Sequence, residues 1–321
     1  MDSRLYLVFA ILLFAASLIY FKVARIYKIV DHPNHRTMHE GATIRGGGIV
    51  ILFAVALFSL FIAEPGYYFI AGMTILGITG FLDDLVDLSG KVRFPLQVLS
   101  VVLILVELNL TGLSIFWLFI IVVIATGTLN AFNFMDGING MTGGYGLVTV
   151  VSLIYVNNFV TGFTANEFLY FFLLALIVFV FYNFRKRAVC FAGDVGSLTV
   201  AYIIIYLIIK LVIETQQFVF ILFLTLYGID TIFTIIQRIL RKENIFEAHR
   251  LHLFQVMVSK TGMPHLRMSG IYMVIQAIIN LLVILIMQLH LRQQVIYSGI
   301  MLLVLSVFYF FIKNKMIKKI I

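Results

Sequence analysis

Long uninterrupted apolar stretches constrain the fold of this chain more than any other feature of its sequence. A membrane-spanning helix needs roughly 20 apolar residues, and on that measure about eleven candidates are present. Their centres lie near residues 13, 55, 74, 102, 121, 151, 175, 206, 226, 279 and 302. Because 62% of the 321 residues are hydrophobic and only 12% are charged, a water-soluble domain could not bury this much apolar surface. The sequence therefore predicts an all-α polytopic membrane protein.

The whole chain, residues 1–321, is predicted to form a single integral membrane domain. Its first apolar stretch contains no small-residue cleavage site before Lys22, so we expect a retained first helix and not a removed signal peptide. Cys190 is the single cysteine, which excludes an intramolecular disulfide. We interpret it as an ordinary small side chain.

The basic residues predict how the helices are oriented, because lysine and arginine concentrate in cytoplasmic loops. With about eleven helices and an external N-terminus, every Lys and Arg except Arg4, Lys210 and Arg292 falls on the cytoplasmic side. We therefore predict an external N-terminus and a cytoplasmic C-terminus. The predicted cytoplasmic loops lie at about residues 22–47, 83–95, 130–143, 185–197 and 237–268.

Most acidic residues outside the apolar stretches fall in these predicted cytoplasmic loops. Asp83 and Asp84 follow the third stretch, and Asp136 and Asp194 stand in two later loops. Clustered carboxylates bind divalent cations or supply a base, although a solvated helix end is the alternative explanation of the adjacent pair. A transporter is expected to place polar groups near mid-membrane. The sequence therefore predicts a working site at the cytoplasmic face.

Glycine marks three predicted helix starts on that face. The segments are RGGGIV at 45–50, DGINGMTGG at 136–144 and FAGDVGSL at 191–198. Helix N-termini bind phosphate through free N–H groups, and glycine lets the backbone approach an anion closely. Glycine equally permits close packing of membrane helices. Because all three segments stand beside acidic residues, we expect a phosphate-rich ligand.

Ordered motifs in the same loops carry a family resemblance. They are DHPNHRTMHEGATIRGGG at 31–48, DDLVD at 83–87, NAFNFMDGING at 130–140, FAGDVGS at 191–197 and AHRLH at 248–252. In order and spacing they resemble the polyprenyl-phosphate N-acetylhexosamine-1-phosphate transferases, membrane enzymes that begin bacterial surface glycans. The resemblance implies transfer of a HexNAc-1-phosphate from a UDP-N-acetylhexosamine to undecaprenyl phosphate in the inner membrane, with release of UMP. It also implies Mg²⁺ or Mn²⁺ as cofactor and no nucleic-acid partner, and it leaves a homodimer open.

The resemblance further implies roles for individual residues. Asp194 is expected to bind the metal, Asp83 to bind it or to ready the lipid phosphate as a base, and Asp84 to be essential. The residues expected around the nucleotide are Asn133, Asp136 and Gly137, with Phe191 against the uracil. The residues associated with the sugar and its diphosphate are His249, Arg250 and His252.

Other positions keep two interpretations. Lys91 and Arg93 are candidates for phosphate contact or for membrane anchoring by positive charge. The first inner loop offers a binding role or a hydrated loop at Asp31, Asn34, Arg36 and His39. We expect a structural polar contact at Asp230 within the ninth stretch, and no functional role for His265 and His290.

The sequence also departs from relatives. Asn139 stands where many have a second aspartate, which puts a role for this position in doubt, and HRLH differs from the triple histidine of the muramyl-pentapeptide branch. This favours the branch that acts on simple N-acetylhexosamines. The main alternative from another class is a nucleotide-sugar or lipid-linked sugar transporter without chemistry. A catalytically inactive scaffold is a weaker alternative, because none of the key aspartates is missing.

Overall fold

α-Helices form nearly all of the regular structure in the computed structural model, which describes residues 3–31, 42–61, 65–244 and 249–318. The helices within these ranges are α1 (Ser3–Ile26), α2 (Ile49–Ser59), α3 (Tyr67–Val86), α4 (Gly90–Glu107), α5 (Ile115–Met135), α6 (Met141–Phe159), α7 (Asn166–Asn183), α8 (Gly193–Thr215), α9 (Thr225–Leu240), α10 (Leu253–Thr261), α11 (His265–Ile286) and α12 (Leu291–Lys318). A 3₁₀ segment, Phe218–Leu224, leads into α9.

The predicted class is confirmed, and the helices occupy the predicted apolar stretches. Eight of the described helical segments are long and apolar enough to cross a membrane. The helices α2, α4 and α6 are not among them, and α2 has only 11 residues. The number of eleven spans and the external N-terminus therefore stay predictions. One predicted loop, 237–268, contains the short helix α10.

The central helix of the bundle is α8, which packs against α2, α3, α5 and α6. It is apolar around its whole circumference, as expected for a helix that other helices enclose. Peripheral helices such as α12 instead leave large apolar side chains exposed, for example Phe308 and Phe311. In a membrane protein these outer faces are the ones that contact lipid. The bundle thus builds its core around the helix that begins at Asp194.

Glycine allows the first turn of α8 to lie directly against the start of α2. A Cβ atom on Gly48 would lie 2.2 Å from the Cα of Gly196. The N–H groups of Gly47 and Gly48 donate to the carbonyls of Phe191 and Ala192 at 2.8 and 3.0 Å. These two amides are therefore already bonded within the protein and are not free for a phosphate. At this segment the close-packing alternative explains the glycines.

Replacing Gly48 with Ala should destabilise the protein by about 1–3 kcal/mol, as overpacking of a tight contact typically does. The atoms that a Cβ on Gly48 would meet belong to the backbones of Ala192 and Gly196, so rotating a side chain cannot relieve the clash. Gly228→Ala is the matched control, since no heavy atom lies within 4 Å of a Cβ placed there. Thermal unfolding in detergent measures the difference. Equal shifts in the two variants would contradict the packing explanation.

Two short strands fasten the chain after α1 to the loop before α8. Strand β1 (Val30–Asp31) pairs antiparallel with β2 (Thr43–Ile44), and the N–H of Phe191 donates to the carbonyl of Ile44 at 2.8 Å. This pairing brings β1, β2 and the loop before α8 to one end of the bundle. We call it the site end: the end at which α3 and α5 finish and α6 and α8 begin.

Candidate functional site

Aspartates from three separate helix ends meet at the site end. Asp83 and Asp84 belong to the last turn of α3, Asp136 follows α5, and Asp194 lies in the first turn of α8. The N–H of Asp194 donates to Asp84 at 3.0 Å, and the carboxylates of Asp83 and Asp194 lie within hydrogen-bonding contact. Asp136 lies close to the backbone of Gly193. The structure thus brings together residues that are more than 100 positions apart along the chain.

Asp84 caps the start of α8. Its carboxylate accepts hydrogen bonds from the N–H groups of Asp194 and Val195 at 3.0 and 3.3 Å. Arg45 pairs with the same carboxylate, with Nε 3.0 Å from Oδ1, and the Asp84 side chain is fully covered. A carboxylate in this position compensates the positive end of the helix dipole. Asp84 therefore holds Asp194 in place and does not itself face the cavity described below.

Asp83 points to a different partner. Its Oδ1 accepts the N–H of Leu88 at 2.6 Å, and its Oδ2 accepts a hydrogen bond from Nη1 of Arg93. The same nitrogen lies 3.2 Å from Oδ2 of Asp194. Leu88 and Arg93 can reach back to Asp83 because α3 ends at Val86 and Asp87 adopts a left-handed backbone conformation with φ 56°. Asp87 itself is exposed and outside the cluster.

A cavity of about 210 Å³ opens beside Asp194. Its walls carry all four residues that the resemblance assigns to the nucleotide, together with several others. The lining residues are Asp31, Arg45, Asn133, Asp136, Gly137, Ile138, Asn139, Asn183, Phe191, Gly193, Asp194, Gln255 and His265. Polar, acidic and aromatic groups thus surround one space of a size suited to part of a small polar ligand.

Burial raises the pKa of Asp136 to about 7. The nearby Asp84 carboxylate acts in the same direction, whereas the nearby backbone of Gly193 opposes it. In the unfolded chain the same carboxyl ionises near pH 4, at about its ordinary pKa. The folded state therefore binds more protons than the unfolded state between these two pH values, and stability falls as the pH rises through that window.

An Asp136→Asn variant should accordingly become more stable relative to wild type as the pH rises. Asparagine cannot ionise, so it escapes the cost of a buried negative charge. We expect the difference in melting temperature to be small at about pH 4.5 and to grow steadily up to about pH 7.5. Thermal unfolding of both proteins across this range makes the comparison. A difference that stays constant with pH would show that the Asp136 carboxyl is not the responsible group.

The predicted sugar-diphosphate residues do not themselves line the cavity, although the N–H of His252 donates to Oε1 of Gln255, which does. His252 is buried beneath α9, with Nδ1 3.4 Å from Oδ1 of Asp230. Burial lowers the pKa of His249 to about 4, and the neighbouring His252 and Arg238 add to this effect. His249 is therefore a neutral imidazole at pH 7 in the ligand-free protein. Binding roles for His249, Arg250 and His252 stay predictions.

Asp230 is a hub that joins several helices. It accepts hydrogen bonds from the N–H of Leu253 at 2.9 Å, from the hydroxyl of Tyr272 at 2.8 Å and from the hydroxyl of Tyr309 at 3.1 Å. These contacts tie α9 to α10, α11 and α12. The expected structural polar contact at this position is what the structure shows.

Of the two basic candidates after the aspartate pair, Arg93 joins the cluster, whereas Lys91 is exposed at the start of α4. The positions Asn34, Arg36 and His39 lie outside the described residues.

Asn139 has a structural bond, since its Nδ2 donates to the carbonyl of Arg185 at 2.8 Å. This contact fixes the loop that leads to α8.

Sequence reasoning missed several cavity residues, namely Arg45, Asn183, Gln255 and His265. A signal existed for two of them. Arg45 opens a quoted glycine motif, and His265 begins a helix that the predicted topology starts at the cytoplasmic face. Asn183 and Gln255 carried no distinguishing pattern, because one ends an apolar helix and the other lies within a short helix in a predicted loop.

The acidic residues suit a magnesium ion that the substrate helps to bind. In the described ranges no three His, Cys, Asp or Glu side chains form a set that could hold a metal ion. Mg²⁺, however, is commonly held by one or two carboxylates, with water and substrate phosphates as the other ligands. Asp83 and Asp194 converge as such a pair. The donor set therefore fits the cation that the resemblance implies.

Comparisons with known proteins find similarity to glycosyl transferases. Residues 67–212 match the family model described as glycosyl transferase family 4. Over 276 residues the chain is 28% identical to a Bacillus subtilis (strain 168) protein named probable undecaprenyl-phosphate N-acetylglucosaminyl 1-phosphate transferase, covering 75% of this chain and 72% of the relative. Over 223 residues it is 26% identical to the undecaprenyl-phosphate alpha-N-acetylglucosaminyl 1-phosphate transferase of Escherichia coli (strain K12), covering 63% of this chain and 60% of that protein.

The second alignment thus spans less than two thirds of the Escherichia coli relative. The segment matched by the family model contains all of the clustered aspartates, Asp83, Asp84, Asp136 and Asp194. Over that segment the chain is similar to glycosyl transferase family 4, in agreement with the resemblance that its motifs carry.

Proposed function

We propose that the protein transfers an N-acetylhexosamine-1-phosphate group from a UDP-N-acetylhexosamine to a polyprenyl phosphate, with undecaprenyl phosphate as the bacterial acceptor. The observation that carries the proposal is the convergence of Asp83 and Asp194 beside a polar cavity at the end of an apolar helix bundle. A water-soluble donor can enter from the site end, and a lipid acceptor can reach the same place from the membrane. The names of the relatives support this substrate class.

The cavity is the proposed binding site of the nucleotide. Asn133, Asp136 and Gly137 offer amide, carboxyl and backbone groups for the uridine, and Phe191 offers a ring for the uracil. Arg45 lies on the same wall and supplies positive charge to a diphosphate. We place this end in the cytoplasm, because nearly all basic residues fall on that side under the predicted topology.

Asp83 and Asp194 would hold Mg²⁺ together with the phosphates of the donor. When bound, the cation neutralises charge on the phosphate oxygens and on the departing UMP. Asp84 keeps Asp194 at its position through the cap on α8. The main demand of phosphoryl transfer on a protein is positioning and charge neutralisation, and these residues supply both.

The proposed reaction is a single displacement. An oxygen of the lipid phosphate forms a bond to the sugar-linked phosphorus, and the bond from that phosphorus to the bridging oxygen of UMP breaks. Asp83 is the proposed base that removes a proton from the lipid phosphate, since it lies at the end of α3 where the membrane-spanning helix finishes. The products are UMP and a polyprenyl-diphosphate sugar, the first intermediate of a surface glycan.

An interrupted helix favours a transporter as the second candidate. The 3₁₀ segment before α9 breaks regular helical bonding, and Gln276 compensates it through the Phe223 carbonyl at 3.0 Å and the Leu226 N–H at 3.3 Å. Broken helices of this kind form midplane sites in transporters. Here the backbone groups that lack helical partners are hydrogen-bonded by the side chain of Gln276. The site end is therefore the better-supported location of function.

Incubation of purified protein with UDP-N-acetylglucosamine, undecaprenyl phosphate and Mg²⁺ tests the proposal. We expect release of UMP and a lipid-linked sugar diphosphate, both detected by mass spectrometry, and no UMP when the lipid phosphate is omitted. Other UDP-N-acetylhexosamines complete the panel. Recovery of every donor intact would refute the proposal, and movement of intact donor into vesicles would establish the transporter.

A further inference from the structure

One nitrogen of Arg93 stands between the two carboxylates that would hold the metal. Nη1 donates to Oδ2 of Asp83 and to Oδ2 of Asp194. The two aspartates belong to α3 and α8, whereas Arg93 lies in the first turn of α4. A positive centre that contacts one oxygen from each carboxylate occupies the position of a bridging cation.

This arrangement is shielded from water more than an ordinary surface ion pair. The side chains of Asp83 and Asp194 are only 4% and 18% exposed, and that of Arg93 is 36% exposed. Two adjacent buried carboxylates repel each other unless a cation or a proton lies between them. Arg45 pairs with Asp84, so within the described ranges Arg93 is the cation that contacts both Asp83 and Asp194.

We propose that Arg93 is an internal competitor of the divalent cation at Asp83 and Asp194. The inference rests on the proposed function. A guanidinium and a metal ion cannot occupy the same position between the same two oxygens, so binding of the cation requires Arg93 to leave. The released guanidinium remains at the site end, where it can form paired hydrogen bonds with a phosphate.

The competition has a consequence for substrate binding. A phosphate ligand adds oxygens to the cation and at the same time offers Arg93 a new partner, so cation and phosphate should strengthen each other's binding. This coupling is reciprocal by thermodynamic necessity.

Binding of Mn²⁺ to the full-length protein in nanodiscs, followed by electron paramagnetic resonance, tests the inference without measuring turnover. We expect Arg93→Gln to bind Mn²⁺ at least about tenfold more tightly than wild type, the effect of losing a charged hydrogen-bonding competitor. Lys91→Gln is the matched control. Lys91 lies two residues before Arg93 and is exposed, so this variant removes the same charge without removing a contact to the two aspartates. It should change the Kd by less than about twofold.

Arg93→Lys guards against a folding artefact, since lysine keeps the charge but lacks the planar fork. Its Mn²⁺ affinity should fall between wild type and Arg93→Gln, and UDP should improve Mn²⁺ binding more in wild type than in Arg93→Gln. Equal or weaker binding in Arg93→Gln than in Lys91→Gln overturns the inference, as does an absence of Mn²⁺ binding in all variants. Release of UMP by wild type in the same preparation decides the proposed function separately.

Discussion

Replacing Asp83 with Asn should lower turnover by about 10²–10⁴-fold, the usual contribution of a positioned acid or base. Asparagine is nearly the same size, but it can neither accept the proton nor balance a cation. The fold should survive, because the amide oxygen can still accept the N–H of Leu88 and Arg93 keeps Asp194 as a partner. Asp194→Asn should lose activity to a similar extent.

Release of UMP measures the effect, and Asp87→Asn is the matched control. Asp87 stands one turn later in the same motif, is exposed, and has a left-handed backbone that asparagine tolerates well. It should therefore keep activity close to wild type. A comparable loss in Asp87→Asn, or full activity in Asp83→Asn, would remove the role assigned to Asp83.

The sequence predicted the helices and much of the cavity wall because both depend on local patterns. Apolar stretches specify helices through length alone, and short motifs such as NAFNFMDGING and FAGDVGS keep their residues close together at helix ends. Once the helices run antiparallel, alternate ends must meet. Asn133, Asp136, Phe191 and Asp194 therefore fall on one cavity.

The different environments of the paired aspartates could not be predicted in the same way. Successive residues on a helix point about 100° apart, so identical neighbours meet different surroundings. Asp83 faces Arg93, whereas Asp84 faces the start of α8. Which helix lies on each side depends on tertiary packing.

His252 shows the same limit. The histidines of AHRLH had the composition of an anion site, yet His252 is buried against Asp230, a residue more than 20 positions earlier in the chain. A sequence motif identifies residue types, but it does not say which of them the fold turns inward. The glycines of RGGGIV had two physical explanations for the same reason, and only the position of Gly196 decided between them.

Asp84→Ala should produce a loss of both stability and activity, unlike Asp83→Asn. Removing the carboxylate leaves the N–H groups of Asp194 and Val195 without their acceptor and Arg45 without its partner. The loss of a helix cap and of charged hydrogen bonds should cost about 2–3 kcal/mol. Because Arg45 stays 36% exposed, water can solvate part of its charge, which limits the penalty. The shift in unfolding midpoint measures the effect.

The activity of Asp84→Ala should also fall by about 10²-fold, since small displacements of a catalytic group carry losses of this size. The Asp84→Asn variant distinguishes two possible roles of Asp84, as the cap of α8 and as a catalytic acid. The amide oxygen can still accept the N–H of Asp194, whereas the N–H of Val195 donates to the other carboxylate oxygen and loses its acceptor. Asp194 therefore stays in place, and the variant should keep most of the activity that Asp84→Ala loses. A direct chemical role would instead make Asp84→Asn as inactive as Asp83→Asn. The ratio of the two asparagine variants in UMP release therefore distinguishes a residue that positions Asp194 from one that takes part in the reaction.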